Sequence, residues 1–265
     1  MEAFYAIDWT DTTVHDDAVS FTTNSQKTEL KIAVVVPKIR PLVFEDELVD
    51  RHIRNLLQRG RVHNEERSNV DTVNLFSRQE AVQSSLNETD PKEAIVLNLS
   101  IEQLYARRGQ KFEFVEEMQT DKITIRKTTY EQFNEASDLD DIIIFLDAIL
   151  KEKPRLHTKA HIHNRKTFDR HGISNWLVHI MCDLFNDACM RACEKHDIPY
   201  FGLYFNKNSI TISNGSAVFN KPLRSVLAFM NIINLHACLT GKRFPLNEID
   251  VVNALKSSGF NVLDS

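Results

Sequence analysis

Ala6-Ile7-Asp8-Trp9-Thr10-Asp11-Thr12-Thr13-Val14-His15-Asp16-Asp17-Ala18-Val19 is the stretch on which the reading of this chain turns. Four carboxylates, Asp8, Asp11, Asp16 and Asp17, fall within ten residues, with apolar residues on both sides. The flanks predict a loop whose two ends are anchored in a core. Carboxylates packed this tightly repel one another and invite a cation. Hard oxygen ligands favour Mg²⁺ or Mn²⁺ over zinc, and such centres commonly work on phosphate. The plainer reading is a loop whose acids face water or cap backbone amides.

The rest of the composition narrows the field. The chain has 265 residues, 42% hydrophobic and 26% charged, which is ordinary for a globular protein. A net charge of -5 excludes a uniformly basic nucleic-acid binder, though not a local basic groove. Seven glycines, with neither G-x-G-x-x-G nor a P-loop, argue against a dinucleotide or nucleotide cradle. Cys182, Cys189 and Cys193 recur at i, i+7 and i+11, one face of a helix, and read with Cys238 as buried thiols of a reducing compartment. The N-terminal residues do not form a signal peptide, and no apolar run reaches transmembrane length. A soluble, intracellular, cytoplasmic protein without a membrane partner is expected.

Working outward, Phe4–Ile7, Ala18–Thr22 and Glu29–Val36 read as strands. A helix is expected over Glu45–Gln58 and a mobile loop over Gly60–Asn74. Ala94–Ile101, Lys111–Val115 and Lys122–Thr129 read as strands, the last two separated by a polar turn. Leu139–Glu152, Asn175–His196 and Leu223–Leu239 read as helices, with short strands at Tyr200–Phe205 and Ser209–Ile212. Lys153–Gly172 is basic and carries His157, His161, His163 and His171, whose spacing suits a solvated or phosphate-facing loop better than zinc. Strands early and long helices late predict an α+β or mixed α/β fold, one domain over residues 1–265.

The acidic run resembles the catalytic motif of the ribonuclease II and ribonuclease R family, the RNB domain, roughly I-D-x-x-x-x-x-D-x-D-D-A. Ile7, Asp8, Asp16, Asp17 and Ala18 match it. Further pieces follow in the same order. Val34-Val35-Val36-Pro37 is similar to I-A-D-P, Ser85-Leu86 to the family's S-L, and Tyr130 to the tyrosine of L-x-Y-x-x-V. Asn186 falls on the asparagine of A-N-x-x-A, and Phe219-Asn220-Lys221-Pro222-Leu223-Arg224 is similar to F-T-S-P-I-R. The resemblance spans nearly the whole chain. It implies a single RNB-like catalytic domain with a mixed sheet and long C-terminal helices. It also implies a 3′-to-5′ exoribonuclease that hydrolyses single-stranded RNA to nucleoside monophosphates with Mg²⁺ or Mn²⁺. Asp8, Asp16 and Asp17 would be metal ligands, Asp16 and Arg224 catalytic, and Tyr130 and Arg224 in contact with RNA.

The departures fall on the residues that matter most. The remaining motif aspartate is Val14, which has no ligand atom, and its neighbour His15 is a poor ligand for Mg²⁺. The aspartate of I-A-D-P is Val36. The acidic pair expected before Asn186 falls on His179 and Ile180, and Ser225 and Val226 stand where the family has a basic residue and a tyrosine. One lost transition-state charge contact costs roughly 10²–10³ in rate. The sequence therefore leaves two readings open. One is a minimal RNB-type nuclease. The other is a catalytically dead relative serving as an RNA- or protein-binding subunit of a larger assembly.

Each candidate residue also has a purely structural role open to it. Asp8, Asp16 and Asp17 could cap loop amides, Arg224 could pair with a buried aspartate, and Tyr130 could be a half-buried strand tyrosine. Asp11 reads as a second-layer or solvated acid. Asn186 on an apolar helix face reads as an internal, structural hydrogen-bonding residue, with support of the acidic loop as the sharper alternative. Arg54, Arg59, Arg61, Lys159, Arg165 and Lys166 could line an RNA groove or simply face water.

Overall fold

The computed structural model describes residues 3–24, 27–37, 78–102, 114–136, 138–153, 155–156, 172–206, 209–213, 217–223, 226–242 and 262–263. The helix expected over Glu45–Gln58, the loop Gly60–Asn74 and most of the histidine-rich stretch lie outside the described residues.

The chain opens with strands β1 (Phe4–Asp8), β2 (Asp17–Thr23) and β3 (Lys27–Val35), then helix α1 (Arg78–Ser84) and strand β4 (Lys92–Glu102). Strands β5 (Phe114–Ile123) and β6 (Ile125–Thr129) run into helix α2 (Tyr130–Asn134). Helices α3 (Leu139–Glu152) and α4 (Gly172–Lys195), strands β7 (Gly202–Asn206) and β8 (Ser209–Ser213), helix α5 (Val226–Leu239) and strand β9 (Val262–Leu263) complete the order. The mixed α+β class expected from the sequence is the class observed. Helix α3 has the bounds expected for it, β1 and β2 run one residue beyond the expected strands, and β3 begins two residues earlier and ends one residue sooner than expected.

The main sheet has the order β5-β4-β3-β2-β1-β6, antiparallel except for the parallel pair β1–β6. Its two edge strands, β5 and β6, are separated by Thr124 alone. Strands sit about 4.8 Å apart, so the edges of a flat six-stranded sheet could not be joined by one residue. The sheet must curl on itself. Strands β5 and β6 are two halves of one kinked strand, the first paired with β4 and the second with β1. Small residues make the curl possible: Ala6, Ala18, Ser20, Ala33 and Ala94 are all buried on one face.

The other face carries the larger side chains. Leu30, Ile32, Leu97 and Leu99 are buried there, and helices α3 and α4 close over them. The ring of Phe21 on β2 meets that of Phe145 on α3 edge-on, with centroids 5.9 Å apart. A charged clamp ties the layers at their rim. Lys153, at the C-terminus of α3, lies 2.9 Å from Glu116 on β5, and Arg191 on α4 lies 2.7 Å from the same carboxylate. The second sheet, β7-β8-β9, is joined by an antiparallel and then a parallel pair.

The polar turn expected between Val115 and Lys122 is instead continuous strand. Every residue from Phe114 to Ile123 pairs with β4 in unbroken register. Main-chain hydrogen bonds hold β5, and its alternate side chains face water, so Glu117, Gln119 and Asp121 are tolerated there.

Candidate functional site

The acidic loop joins β1 to β2 and is fastened from three sides. The His15 N–H donates to Ser85 Oγ at 2.7 Å, and the His15 carbonyl accepts from the Leu86 N–H at 3.1 Å. One residue on, the Asp16 carbonyl accepts from the Val35 N–H at 2.8 Å. The Ser85-Leu86 pair singled out in the sequence therefore pins the loop through its backbone.

The carboxylates do not converge. Asp8 ends β1 and lies 2.8 Å from Nδ1 of His15, whose ring is buried. The carboxylate accepts the Nδ1 proton and so fixes the tautomer. His15 Nε2 is buried with no hydrogen-bond partner among the described residues. Asp16 is 1% exposed, and its Oδ1 accepts from the backbone N–H of Leu223 at 2.7 Å. Asp17 opens β2, and the register Tyr5↔Val19 sets it level with Ile7, one residue out of phase with Asp8. Its charge instead acts on the Cys182 thiol of α4, which burial and then Asp17 push well above the ordinary cysteine range, against the opposing effect of Lys221. Asp11 is exposed. Val14 packs against the core.

Asn186 is an internal hydrogen-bonding residue, as expected, but its hydrogen bonds among the described residues run to the segment 217–223 rather than to the acidic loop. From α4 its Oδ1 accepts from the N–H groups of Phe219 and Asn220, at 2.8 and 3.2 Å, and its Nδ2 donates to Asn220 Oδ1 at 3.1 Å. The segment 217–223 is thus held by Asn186 at one end and by Asp16 at the other. Arg224, the expected catalytic and RNA-contacting arginine, lies outside the described residues.

The aromatic neighbours follow from the strand register. In the parallel pair β1–β6, Asp8 is level with Thr129, so the residues that follow, Trp9 and Tyr130, emerge side by side. Their ring centroids are 5.0 Å apart at an interplanar angle of 60°. Trp9 is 42% exposed, while Tyr130 is buried beneath it. Tyr130 is the first residue of α2 rather than the end of a strand. Thr129 caps that helix and Gln132 completes a capping box, a Thr-x-x-Gln signature legible in the sequence but passed over there. Ser174 locks α4 to the same turn by donating from its Oγ to the Tyr130 carbonyl at 2.9 Å.

These residues do not fit a divalent-cation cage. Val14 offers no oxygen, His15 holds Asp8, and the Leu223 amide takes one oxygen of Asp16. Among the described residues no three His, Cys, Asp or Glu side chains come together as metal ligands. Nor is any helix among them long and apolar enough to cross a membrane.

No family model matches the sequence, and none of the curated proteins matches it. The fold, by contrast, has clear counterparts among solved structures. An active-site mutant of the Dss1 exoribonuclease from Candida glabrata superposes with a TM-score of 0.66 at 13% identity, over 97% of this chain and 42% of that one. Yeast Ssd1, a pseudonuclease, gives 0.65 at 11% identity with the same coverages, 97% and 42%. The apo form of Mycoplasma genitalium RNase R gives 0.60 at 10% identity, over 97% of this chain and 56% of that one. The fold is RNB-like. The chain spans 42–56% of the length of these three RNB-fold proteins. They include exoribonucleases and a pseudonuclease alike, so the RNB-like fold leaves the chemistry to be argued from this chain's own side chains.

Proposed function

We propose that this chain is a catalytically silent RNB-type module that binds single-stranded RNA. The observation that carries this reading is the contact between buried His15 and Asp8. It occupies a carboxylate that the metal reading needs, beside a valine where the motif has another. With a valine in place of one motif aspartate and Oδ2 of Asp8 turned to His15, the loop would hold the Mg²⁺ or Mn²⁺ that polarises a scissile phosphate more weakly, and a lost charge contact costs roughly 10²–10³ in rate.

RNA binding rests on the Trp9–Tyr130 ledge. An exposed indole braced from below by a second ring is a stacking platform for a base, and every base has a face to stack. The fold supports the same theme, since Mycoplasma genitalium RNase R has been solved with single-stranded RNA. Stacking releases no counterions, so the share of affinity carried by the ledge should persist as salt rises.

The test is incubation of the purified protein with labelled single-stranded RNA in Mg²⁺ and then Mn²⁺, beside a Trp9→Ala variant. The expected result is intact RNA, saturable binding by the native chain, and binding weakened about tenfold or more in the variant. RNA shortened from its 3′ end by the native protein would overturn the silent reading in favour of a metal-dependent exoribonuclease. Binding unchanged in Trp9→Ala would overturn the ledge.

A further inference from the structure

Residues of β1, β2, β3, β6, α2, α3 and α4 line a pocket of about 370 Å³ that includes neither Trp9 nor Tyr130. Val19, Leu30, Ile142 and Met181 line it together with the aromatic residues Tyr5, Phe21 and Phe133. Phe21 is held in place from behind by Phe145. A cavity of this size with aromatic walls suits a planar heteroaromatic group.

Two polar side chains on its lining keep hydrogen-bonding capacity unspent among the described residues. Gln132 uses its Oε1 twice, accepting from the Thr129 N–H at 3.0 Å and from Thr128 Oγ1 at 3.3 Å. That fixes which way the amide points and leaves Nε2 as a donor without a partner among the described residues. Asp138 precedes α3 in the capping position, yet its carboxylate makes no capping hydrogen bond. It is therefore an anionic acceptor on the pocket wall. Beside Tyr5 in the β1–β6 register stands Arg126, exposed and without an ion-pair partner among the described residues. Alternation along β6 puts Arg126 on the same face as Thr128, which lines the pocket.

We propose that this pocket binds a guanine nucleotide, with the base between the rings and the phosphate at Arg126. Guanine presents two N–H donors next to a carbonyl acceptor on one edge. An acceptor-only carboxylate and an oriented amide donor complement that edge. Adenine presents the opposite order, and a carboxylate would meet its ring nitrogen lone pair. The pocket stands independently of the RNA ledge, since the two share no side chain. The guanine could belong to a free nucleotide or to an RNA.

The test is calorimetric titration of the full chain with GMP, AMP, CMP, UMP and guanosine, and with two single-stranded RNAs differing only by a central G→A change. Asp138→Asn preserves side-chain size, and its melting temperature checks the fold. Saturable one-to-one binding of GMP, at least tenfold tighter than AMP and lost in Asp138→Asn, supports a free-nucleotide site. Weakening by Arg126→Ala, with guanosine already weak, supports the phosphate contact. Discrimination between the two RNAs that disappears in Asp138→Asn, without GMP binding, supports a base read within a strand. Equal affinity for guanine and adenine in both formats overturns the proposal, as does selectivity that survives Asp138→Asn. Loss of all RNA binding in Trp9→Ala with GMP binding intact would separate the ledge from the pocket.

Discussion

Asp16 Oδ1 accepts a hydrogen bond of 2.7 Å from the backbone N–H of Leu223, linking the acidic loop to the segment that leads into α5. The residue that most resembles a metal ligand in the sequence is here a backbone cap. At 1% exposure the carboxylate is desolvated, and that bond offsets part of the cost.

Asp16→Ala should therefore destabilise the protein by about 1–3 kcal/mol, the cost of leaving a buried amide unsatisfied. Asp16→Asn retains a carbonyl oxygen at the same place and should recover most of that loss. Urea unfolding of the three proteins measures it. Equal midpoints for wild type and Asp16→Ala would show that the bond contributes nothing.

Val14→Asp alone should not restore Mn²⁺ binding, because His15 still holds Asp8. Val14→Asp combined with His15→Ala returns one carboxylate and releases another, and it should bind Mn²⁺ saturably with a rise in melting temperature. Isothermal titration of single and double variants distinguishes them. Binding by Val14→Asp alone would mean that the histidine contact is no obstacle.

Much of this was legible in the sequence, because periodicity and apolar runs report directly on burial. Leu139–Glu152 shows a strong apolar face and forms the helix expected over those residues. Glu29–Val36 and Ala94–Ile101 read as strands, and they pair with each other in the main sheet. Strand β5 was hidden because FVEEMQTDKI carries charges on its solvent side, and pairing is a backbone property that composition does not report. At the site, the spacing of Asp8, Asp16 and Asp17 was visible but the destination of each side chain was not. That Asp16 finds an amide 207 residues away is a tertiary fact. Asn231 was equally silent. It is buried on α5, accepting from the Phe201 N–H at 2.7 Å and donating to the Phe201 and Val218 carbonyls at 2.8 and 3.1 Å.

Glu116 sets an acid limit on stability. Burial pushes its carboxyl up, but the Arg191 and Lys153 contacts outweigh burial and hold it below the ordinary value of 4.5. A carboxylate whose pKa is lower folded than unfolded contributes stability above its unfolded value, and loses it as pH falls through the folded one. Glu116→Gln should lower stability at neutral pH by about 1–2 kcal/mol. It should also make the curve flatter below pH 4.5, the ordinary value quoted above. Denaturant midpoints from pH 7 downward test this, and parallel curves for both proteins would count against the clamp.

The α4 cysteines should be chemically quiet in the folded protein. Burial, then the neighbouring Cys238, raises the Cys193 thiol to about 12, and burial holds Cys189 well above the cysteine range. Alkylation proceeds through the thiolate, and a thiol at 12 is ionised to about one part in ten thousand at pH 8. Both sulfurs also sit in residues with no exposed surface, so reagent access requires unfolding. Iodoacetamide labelling at pH 8 followed by peptide mass spectrometry should leave Cys189 and Cys193 unmodified until denaturant is added. The onset of labelling should then track global unfolding, because α4 packs on the main sheet and opens only with it. Rapid native-state labelling of either cysteine would mean that α4 detaches locally, and the support Asn186 gives the segment 217–223 would then be intermittent as well.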